Sequence, residues 1–295
     1  MTASLLASIL VSGALNGGLY ALLGLAIVLL TRTTAVANFA QGDMGMFSVF
    51  LLLMVFLPLG MPPWLGWVST VLVSAALGGM IWWVLIRPRP QAGHLNLTIR
   101  TLGLYTLIYS VVNYLWGSNA PYTVPRIFPP GSSFELAGFS ISNDQFGTAA
   151  VTVLIAGAFL AFFRFTRLGL AMRAVAIDPN VASLLGINVR RVVLAVWLMA
   201  GAIGAVVGLL IASLSFLDPN LMRPYILKAF TAAIMGGLYS FPGVIVGGIV
   251  LGIAEALAVV AISIHLREPF VFLVLLLVLL VRPGGIFGAA RAARV

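Results

Sequence analysis

The sequence predicts an all-α fold: a polytopic bundle of transmembrane helices with about eight or nine spans. Three observations predict it. Of the 295 residues, 62% are hydrophobic and only 8% charged, where a soluble domain has about a quarter charged. The apolar residues fall into repeated charge-poor runs, many close to the roughly 20 residues that a helix needs to cross the hydrocarbon core. The formal net charge of +9 comes from basic residues gathered in a few short loops, which is the positive-inside bias of membrane proteins and not a nucleic-acid surface. The runs take up residues 1–295 as one transmembrane domain and leave no room for a separate soluble one.

In chain order, the expected spans are Leu5 to Leu30, Met44 to Leu57, Trp64 to Ile86, Thr101 to Trp116, Phe146 to Phe163, Val192 to Phe216, Tyr225 to Tyr239, Val244 to Ile264 and Phe270 to Val281. The second, fourth, seventh and ninth are short. No basic residue precedes Arg32 and the first run is too long for a signal-peptide core, so the N-terminal segment reads as a span that is retained. The loops carrying Arg32, then Arg87, Arg89 and Arg100, then Arg164, Arg167, Arg173, Arg190 and Arg191, then Arg282, Arg291 and Arg294 fall on one side if the number of spans is odd. That side is expected to be cytoplasmic. The N-terminus is then outside and the C-terminus inside. The longest outer loop, residues 117–145, contains Pro121, Pro125, Pro129 and Pro130 and balances Arg126 against Glu135 and Asp144. Trp64, Trp67, Trp116 and Tyr122 sit at expected interfaces as an aromatic belt would. The first and sixth spans are both glycine-punctuated and run in opposite directions, as an inverted repeat requires.

Composition also excludes chemistry. There are no cysteines and two histidines, His94 and His265, both expected in loops. Disulfides, thiolate sites and a histidine metal site are therefore absent, and neither a serine nor an aspartyl intramembrane protease can be assembled. The single lysine, Lys228, lies in YILKAF and not in a phosphate-binding loop, so the chain encodes no ATPase. No cofactor is expected on it, and it reads as a non-enzyme.

The most informative stretch is the loop at 164–191, RFTRLGLAMRAVAIDPNVASLLGINVRR. Asp178 can cap free amides, and Pro179 suits the first position of a helix. VASLLG then makes a short helix that Gly186 can close in a left-handed conformation, and GLAMRAVA makes another before it. Such a pair can dock in a groove of a soluble partner; a plain helical linker is the other reading. Asn38, Gln41, Gly42 and Asp43 form a polar stretch between two apolar runs, either lining the translocation pathway or making an ordinary turn. Gly13 with Gly17, Gly204 with Gly208, Gly243 with Gly247 and Gly248 with Gly252 repeat a spacing that lets helices approach closely in lipid. Gly236 and Gly237 before Tyr239 end one helix and can give a hinge or a narrow pore wall. Glu255, the only acid well inside an expected span, is either functional or bonded to Ser263 or a neighbouring helix.

NVASLLG, Asn180 to Gly186, resembles the loop that ABC importer permeases present to their ATPases. Ala182 and Gly186 keep its alanine-to-glycine spacing, and Asn180 stands where the common form has glutamate. The longer RAVAIDPNVASLLGINV, with NFAQGDMGMF at Asn38 to Phe47 and KAFTAAIMGGLYSFPGVIVGGIVLGIAE at Lys228 to Glu255, resembles the permeases of the branched-chain amino acid ABC importers, the LivH-like branch. NGGLYALLGLAIVLL near the N-terminus also fits.

The resemblance implies an ABC importer permease fold and half of a translocation pore for branched-chain or other small amino acids, or amides such as urea. It implies a second related permease subunit, two ATP-binding subunits that use the ATP, and a periplasmic solute-binding protein. Arg173, Asp178, Asn180, Ala182, Leu185 and Gly186 would form the coupling loop. Asn38, Gln41, Gly42, Asp43, Gly236, Gly237 and Tyr239 would line the path. The sequence also admits an ion-coupled secondary carrier for a small solute, with Glu255 or Asp43 as the coupling acid.

Because the chain has no cysteine, one introduced at Ser183 reports the side of the 164–191 loop. An impermeant maleimide should label it only after cells are broken; labelling in intact cells would reverse the orientation.

Overall fold

The computed structural model describes residues 3–88, 93–119, 121–128, 133–136, 139–282 and 284–287. Arg89, Pro129, Pro130, Arg291 and Arg294 lie outside the described residues, and His94 and Glu135 are described in backbone only. The helices are α1 (Ala3–Thr34), α2 (Gln41–Leu51), α3 (Pro63–Ile81), α4 (His94–Trp116), α5 (Asn143–Phe165), α6 (Arg167–Ile177), α7 (Pro179–Leu184), α8 (Val189–Leu214), α9 (Arg223–Gly236), α10 (Phe241–Ala261) and α11 (Arg267–Val281). π-helical turns extend α2 over Leu52–Phe56 and α3 over Trp82–Ile86.

Each expected span corresponds to one helix, and among the described residues seven helices are long and apolar enough to cross a membrane. Two that looked short are not. α11 gains length from a 3-10 turn at Ile264–Leu266. α4 starts at His94 and therefore contains Arg100. The Arg100 guanidinium donates to Asn96 Oδ1 at 2.9 Å and to the Leu85 carbonyl at 2.6 Å, so its polarity is absorbed locally. His94 accordingly opens a helix and does not sit in a loop. α2, which runs with its π-helical turn from Gln41 to Phe56, and α9, with 14 residues, remain short. The loop at 117–145 departs from the all-helical expectation: β1 (Ser133–Leu136) and β2 (Phe139–Ser142) pair antiparallel, Phe134 opposite Ile141.

The described chain forms two compact units. The first comprises Met1–Val28, Phe128–Gly157 and Leu227–Val295; the second comprises Leu29–Ile127 and Ala158–Ile226. α8 is the centre of the second unit, with Trp197, Ala200 and Ala205 wholly buried. α3 lies on it with Gly78 against the Trp197 carbonyl and Ser74 Oγ donating to the Gly201 carbonyl at 2.8 Å. α2 lies on it with Gly45 against Gly204. In the first unit α1 packs on α10 through Gly13 against Gly252 and Gly17 against Gly248. α9 meets α10 where a Cβ on Gly247 would lie 2.6 Å from the Ala232 carbonyl. The small-residue spacings read from the sequence are thus helix contacts in which backbones touch, as lipid-embedded helices require.

Ends of elements fix the second unit further. Arg32, Arg87 and Arg190 line one cavity of about 440 Å³, which brings three of the basic loops to the same end. Tyr122 and Leu217 exchange backbone hydrogen bonds of 2.9 and 2.8 Å, which joins two of the expected outer loops. Trp116 stacks on Phe50 at 5.3 Å while Tyr122 meets it edge-on at 6.0 Å, so these two aromatics pack as well as mark an interface.

Gly45→Val should break the second unit, because a Cβ there falls 2.6 Å from Gly204 C and neither backbone can yield. Overpacking of about 1–3 kcal/mol lowers the unfolding temperature in detergent by roughly 3 °C or more. Gly157→Ala, whose Cβ meets nothing within 4 Å, should leave it unchanged or raise it slightly through helix propensity. Differential scanning fluorimetry checks both.

Candidate coupling surface and buried polar sites

The segment between α5 and α8 is built by four local signals. The Thr166 hydroxyl accepts from Gly169 N at 3.0 Å and starts α6. Gly169 lets α6 fold back against Phe163, where a Cβ would lie 2.8 Å from the Phe163 Cα. Asp178 Oδ1 accepts from the amides of Asn180 (2.8 Å) and Val181 (3.1 Å), and Pro179 occupies the first turn of α7. Gly186, at φ +82°, closes α7: its amide donates to the Ser183 carbonyl and that of Ile187 to the Ala182 carbonyl, both at 3.0 Å. This is a Schellman closure, in which glycine supplies the left-handed residue at no steric cost. Asn188 caps α8 through Arg191 N at 3.1 Å.

Of the residues expected in this loop, Ala182 is buried and anchors α7. Arg173, Asn180, Leu185 and Gly186 are exposed, and Asp178 is half-buried under its capping bonds. The structure adds Ile177, Val181 and Leu184. Leu184 is 88% exposed and Leu185 75%, so a rigid, capped helix holds large aliphatic side chains away from its own unit.

The polar stretch after α1 is closed in. Ala35, at φ +53°, ends α1 in the left-handed region without a glycine. Asn38 and Gln41 are wholly buried. Asn38 Nδ2 donates to Gln41 Oε1 at 3.1 Å, Asn38 Oδ1 accepts from Ala40 N at 3.1 Å, and Gln41 Nε2 donates to the Ala200 carbonyl at 2.6 Å. Gly42 lies against Met222, a Cβ there falling 3.0 Å from the Met222 Cβ. Asp43 sits in the first turn of α2, where the helix dipole favours an acid, and is 5% exposed. In the first unit Gly236 and Gly237 are buried. Gly285 lies against Gly237, Gly236 lies against Gly243, and the Ile286 amide donates to the Met235 carbonyl at 2.7 Å. Tyr239, on the same turn, is exposed.

Glu255 is not a lone acid and does not bond Ser263. Its Oε1 accepts from Lys228 Nζ at 2.8 Å and Arg267 Nε at 2.6 Å, and its Oε2 accepts from the Tyr20 hydroxyl at 2.9 Å. Lys228 also reaches Glu268 Oε1 at 2.9 Å and lies 5.6 Å from the centre of the Tyr20 ring. The Lys228 and Glu255 side chains are 4% and 3% exposed. α1, α9, α10 and α11 thus meet in one buried charge cluster.

The family described as "Branched-chain amino acid transport system / permease component" matches residues 9–281. The chain belongs to that permease family. The permease is 33% identical to the high-affinity branched-chain amino acid transport system permease protein LivH of Salmonella typhimurium, over 96% of both chains. It is 29% identical to BraD of Pseudomonas aeruginosa, named for the same transport system, over 97% of both. Among solved structures it resembles PsaBC from Streptococcus pneumoniae in complex with Fab, with a TM-score of 0.51 over 95% of this chain and 92% of that one. At 14% identity that likeness concerns the fold alone.

Sequence reading found Glu255 in the permease but not its partners. Tyr20, Lys228 and Arg267 stand 235, 27 and 12 residues away, beyond any helical spacing rule. The available signal was the rule that an acid in a span has a partner, applied to the single lysine.

Lys228→Met leaves Glu255 short of a buried cation and should destabilise the permease by about 3–5 kcal/mol, the cost of breaking a buried pair. Adding Glu255→Gln should recover part of that loss. Thermal unfolding of the single and double variants measures the coupling.

Proposed function

We propose that the permease is one half of the translocation pore of an ATP-driven importer in a bacterial inner membrane, carrying branched-chain or other small amino acids, or amides such as urea. The observation that carries the proposal is the α6–α7 pair. A helix of six residues, capped at both ends, holds Val181, Leu184 and Leu185 outward from a loop rich in arginine. Exposed aliphatic side chains on a rigid support are what a soluble partner's groove recognises. Membership in the permease family supplies the kind of partner.

In this reading one ATP-binding subunit grips each coupling loop of a pair of related permeases, identical or paralogous. A solute-binding protein delivers the cargo from outside. This chain binds no cofactor. Closure of the ATPases on ATP moves α7 through Asp178, Asn180, Ala182 and Gly186, with Arg173 on the exposed face of α6. Because α6 is folded tightly against the end of α5, movement of the loop is passed to the spans. The path runs beside Asn38, Gln41, Gly42 and Asp43 and past the turn of Gly236, Gly237 and Tyr239, where the spans rock between outward and inward openings. An ion-coupled carrier working through Glu255 is the weaker reading, because that carboxylate already holds two cations and a hydroxyl.

Leu184→Glu combined with Leu185→Glu tests the proposal on side chains that support no fold. ATP-dependent uptake by the reconstituted complex should fall at least about tenfold, the cost of losing a modest interface anchor, and the ATPase subunits should no longer copurify. Undiminished uptake with a normal complex would remove the coupling role, and uptake by the permease alone on an ion gradient would favour the carrier.

A further inference from the structure

The charge cluster of the first unit borders a cavity that nothing above uses. It has a volume of about 250 Å³, several times the roughly 30 Å³ that a water occupies in the liquid. Part of its lining is polar: Ser12 and Asn16 from α1, Glu255 from α10 and Arg267 from α11. The rest includes the aliphatic Ile9, Val259, Val260 and Ile264.

Three properties define what fits. The four charged side chains of the cluster, Glu255 and Glu268 against Lys228 and Arg267, sum to zero, so a solute with net charge meets no net countercharge. The polar lining nevertheless presents a carboxylate and a guanidinium side by side, 2.6 Å apart. A molecule carrying both an ammonium and a carboxylate can therefore pair with each without leaving either stranded. The Asn16 carboxamide takes part in no hydrogen bond among the described residues, although it projects from a span. Ser12 Oγ bonds back to the Ser8 carbonyl at 2.8 Å, which leaves its oxygen lone pairs for a donor. An amide facing lipid tails without a partner is costly, so lipid chains are the wrong filling. The aliphatic lining in turn favours a short hydrocarbon side chain.

We infer that this cavity binds a small aliphatic zwitterion, an α-amino acid whose ammonium faces Glu255 and Asn16, whose carboxylate faces Arg267, and whose side chain lies on Ile9, Val259, Val260 and Ile264. The site deepens the transport reading and rests on it for the role of the bound molecule. In the orientation given by the basic loops, the cavity lies at the outer ends of α10 and α11, where arriving cargo first meets the spans. Exchange of the Glu255–Arg267 bond for bonds to the zwitterion gives the site an internal competitor, which keeps binding weak enough for release.

The test uses the complete complex in nanodiscs with millimolar leucine as the probe. Saturation-transfer NMR, which reports weak binding, is read beside ATP-driven leucine uptake. Leucine should give a transfer signal that valine displaces. N-acetylleucine and leucinamide, each lacking one of the two charges, should displace it at least about tenfold less well. Asn16→Phe, which fills the cavity, should abolish the signal, and Asn16→Ala, which removes only the amide, should weaken it several-fold with subunit stoichiometry unchanged. No leucine signal in the native complex, or a signal that Asn16→Phe leaves intact, overturns the site. So does phospholipid that is retained by the native complex and lost from Asn16→Phe while leucine binding persists. Failure of ATP-driven uptake alone, with leucine still bound at Asn16, would instead overturn the importer reading and leave the site standing.

Discussion

Helices in lipid gain nothing by hiding apolar side chains from one another, since the surrounding tails are equally apolar. They hold together when their backbones come close enough for dense van der Waals contact and for polar groups to meet. The permease follows this constraint in both units. Gly13 and Gly17 lie on Gly248 and Gly252, and Gly45, Gly78 and Gly201 lie against carbonyl or backbone atoms of a facing helix. A methyl at any of these positions would overlap backbone, so the spacing of α1 from α10, and of α2 and α3 from α8, is set by hydrogen atoms. Other features inherit their position from that spacing. Ser74 can reach the Gly201 carbonyl and Gln41 the Ala200 carbonyl because the helices are already in contact.

Buried polarity forms a second layer on this frame, treated differently in the two units. In the second, Asn38 and Gln41 are neutral and local: they satisfy each other, the turn backbone and a carbonyl of α8, which lets the chain pass from α1 to α2 without a helix. In the first it is ionic and long-range. Glu255 gathers a lysine, an arginine and a tyrosine from three other helices. Such a cluster resists rearrangement, since withdrawing Lys228 or Glu255 leaves a buried charge short of its partner. A zwitterion that supplies both replacement charges is a rare visitor that can enter without that penalty, which is the chemical basis for assigning the adjoining cavity to amino acids.

The loop at 164–191 obeys a different physics. α7 has six residues, too few to be helical by propensity, and it persists through its ends: Asp178 and Pro179 at the start, Gly186 at the close, and Ala182 buried beneath. The apolar side chains that remain outside are therefore not a folding residue of the segment. They are presented outward, on a support stiff enough to hold them there.

The sequence alone determined the class of molecule, the order of its helices and the caps and turns of the 164–191 loop down to single residues. Each rests on local rules: length and hydropathy for the spans, cap and turn chemistry for Asp178, Pro179 and Gly186, and small-residue spacing for the glycine faces. Local rules also misplaced the start of α4, because Arg100 reads as a loop residue until its bonds to Asn96 and Leu85 are seen. They gave no notice of the hairpin of β1 and β2. Which glycine faces which, that Gly237 lies against Gly285, and above all that Tyr20, Lys228, Arg267 and Glu268 converge around Glu255 were decided by tertiary structure. The physical reason is that these groups lie on separate helices, and only the packing of those helices brings them within hydrogen-bond reach.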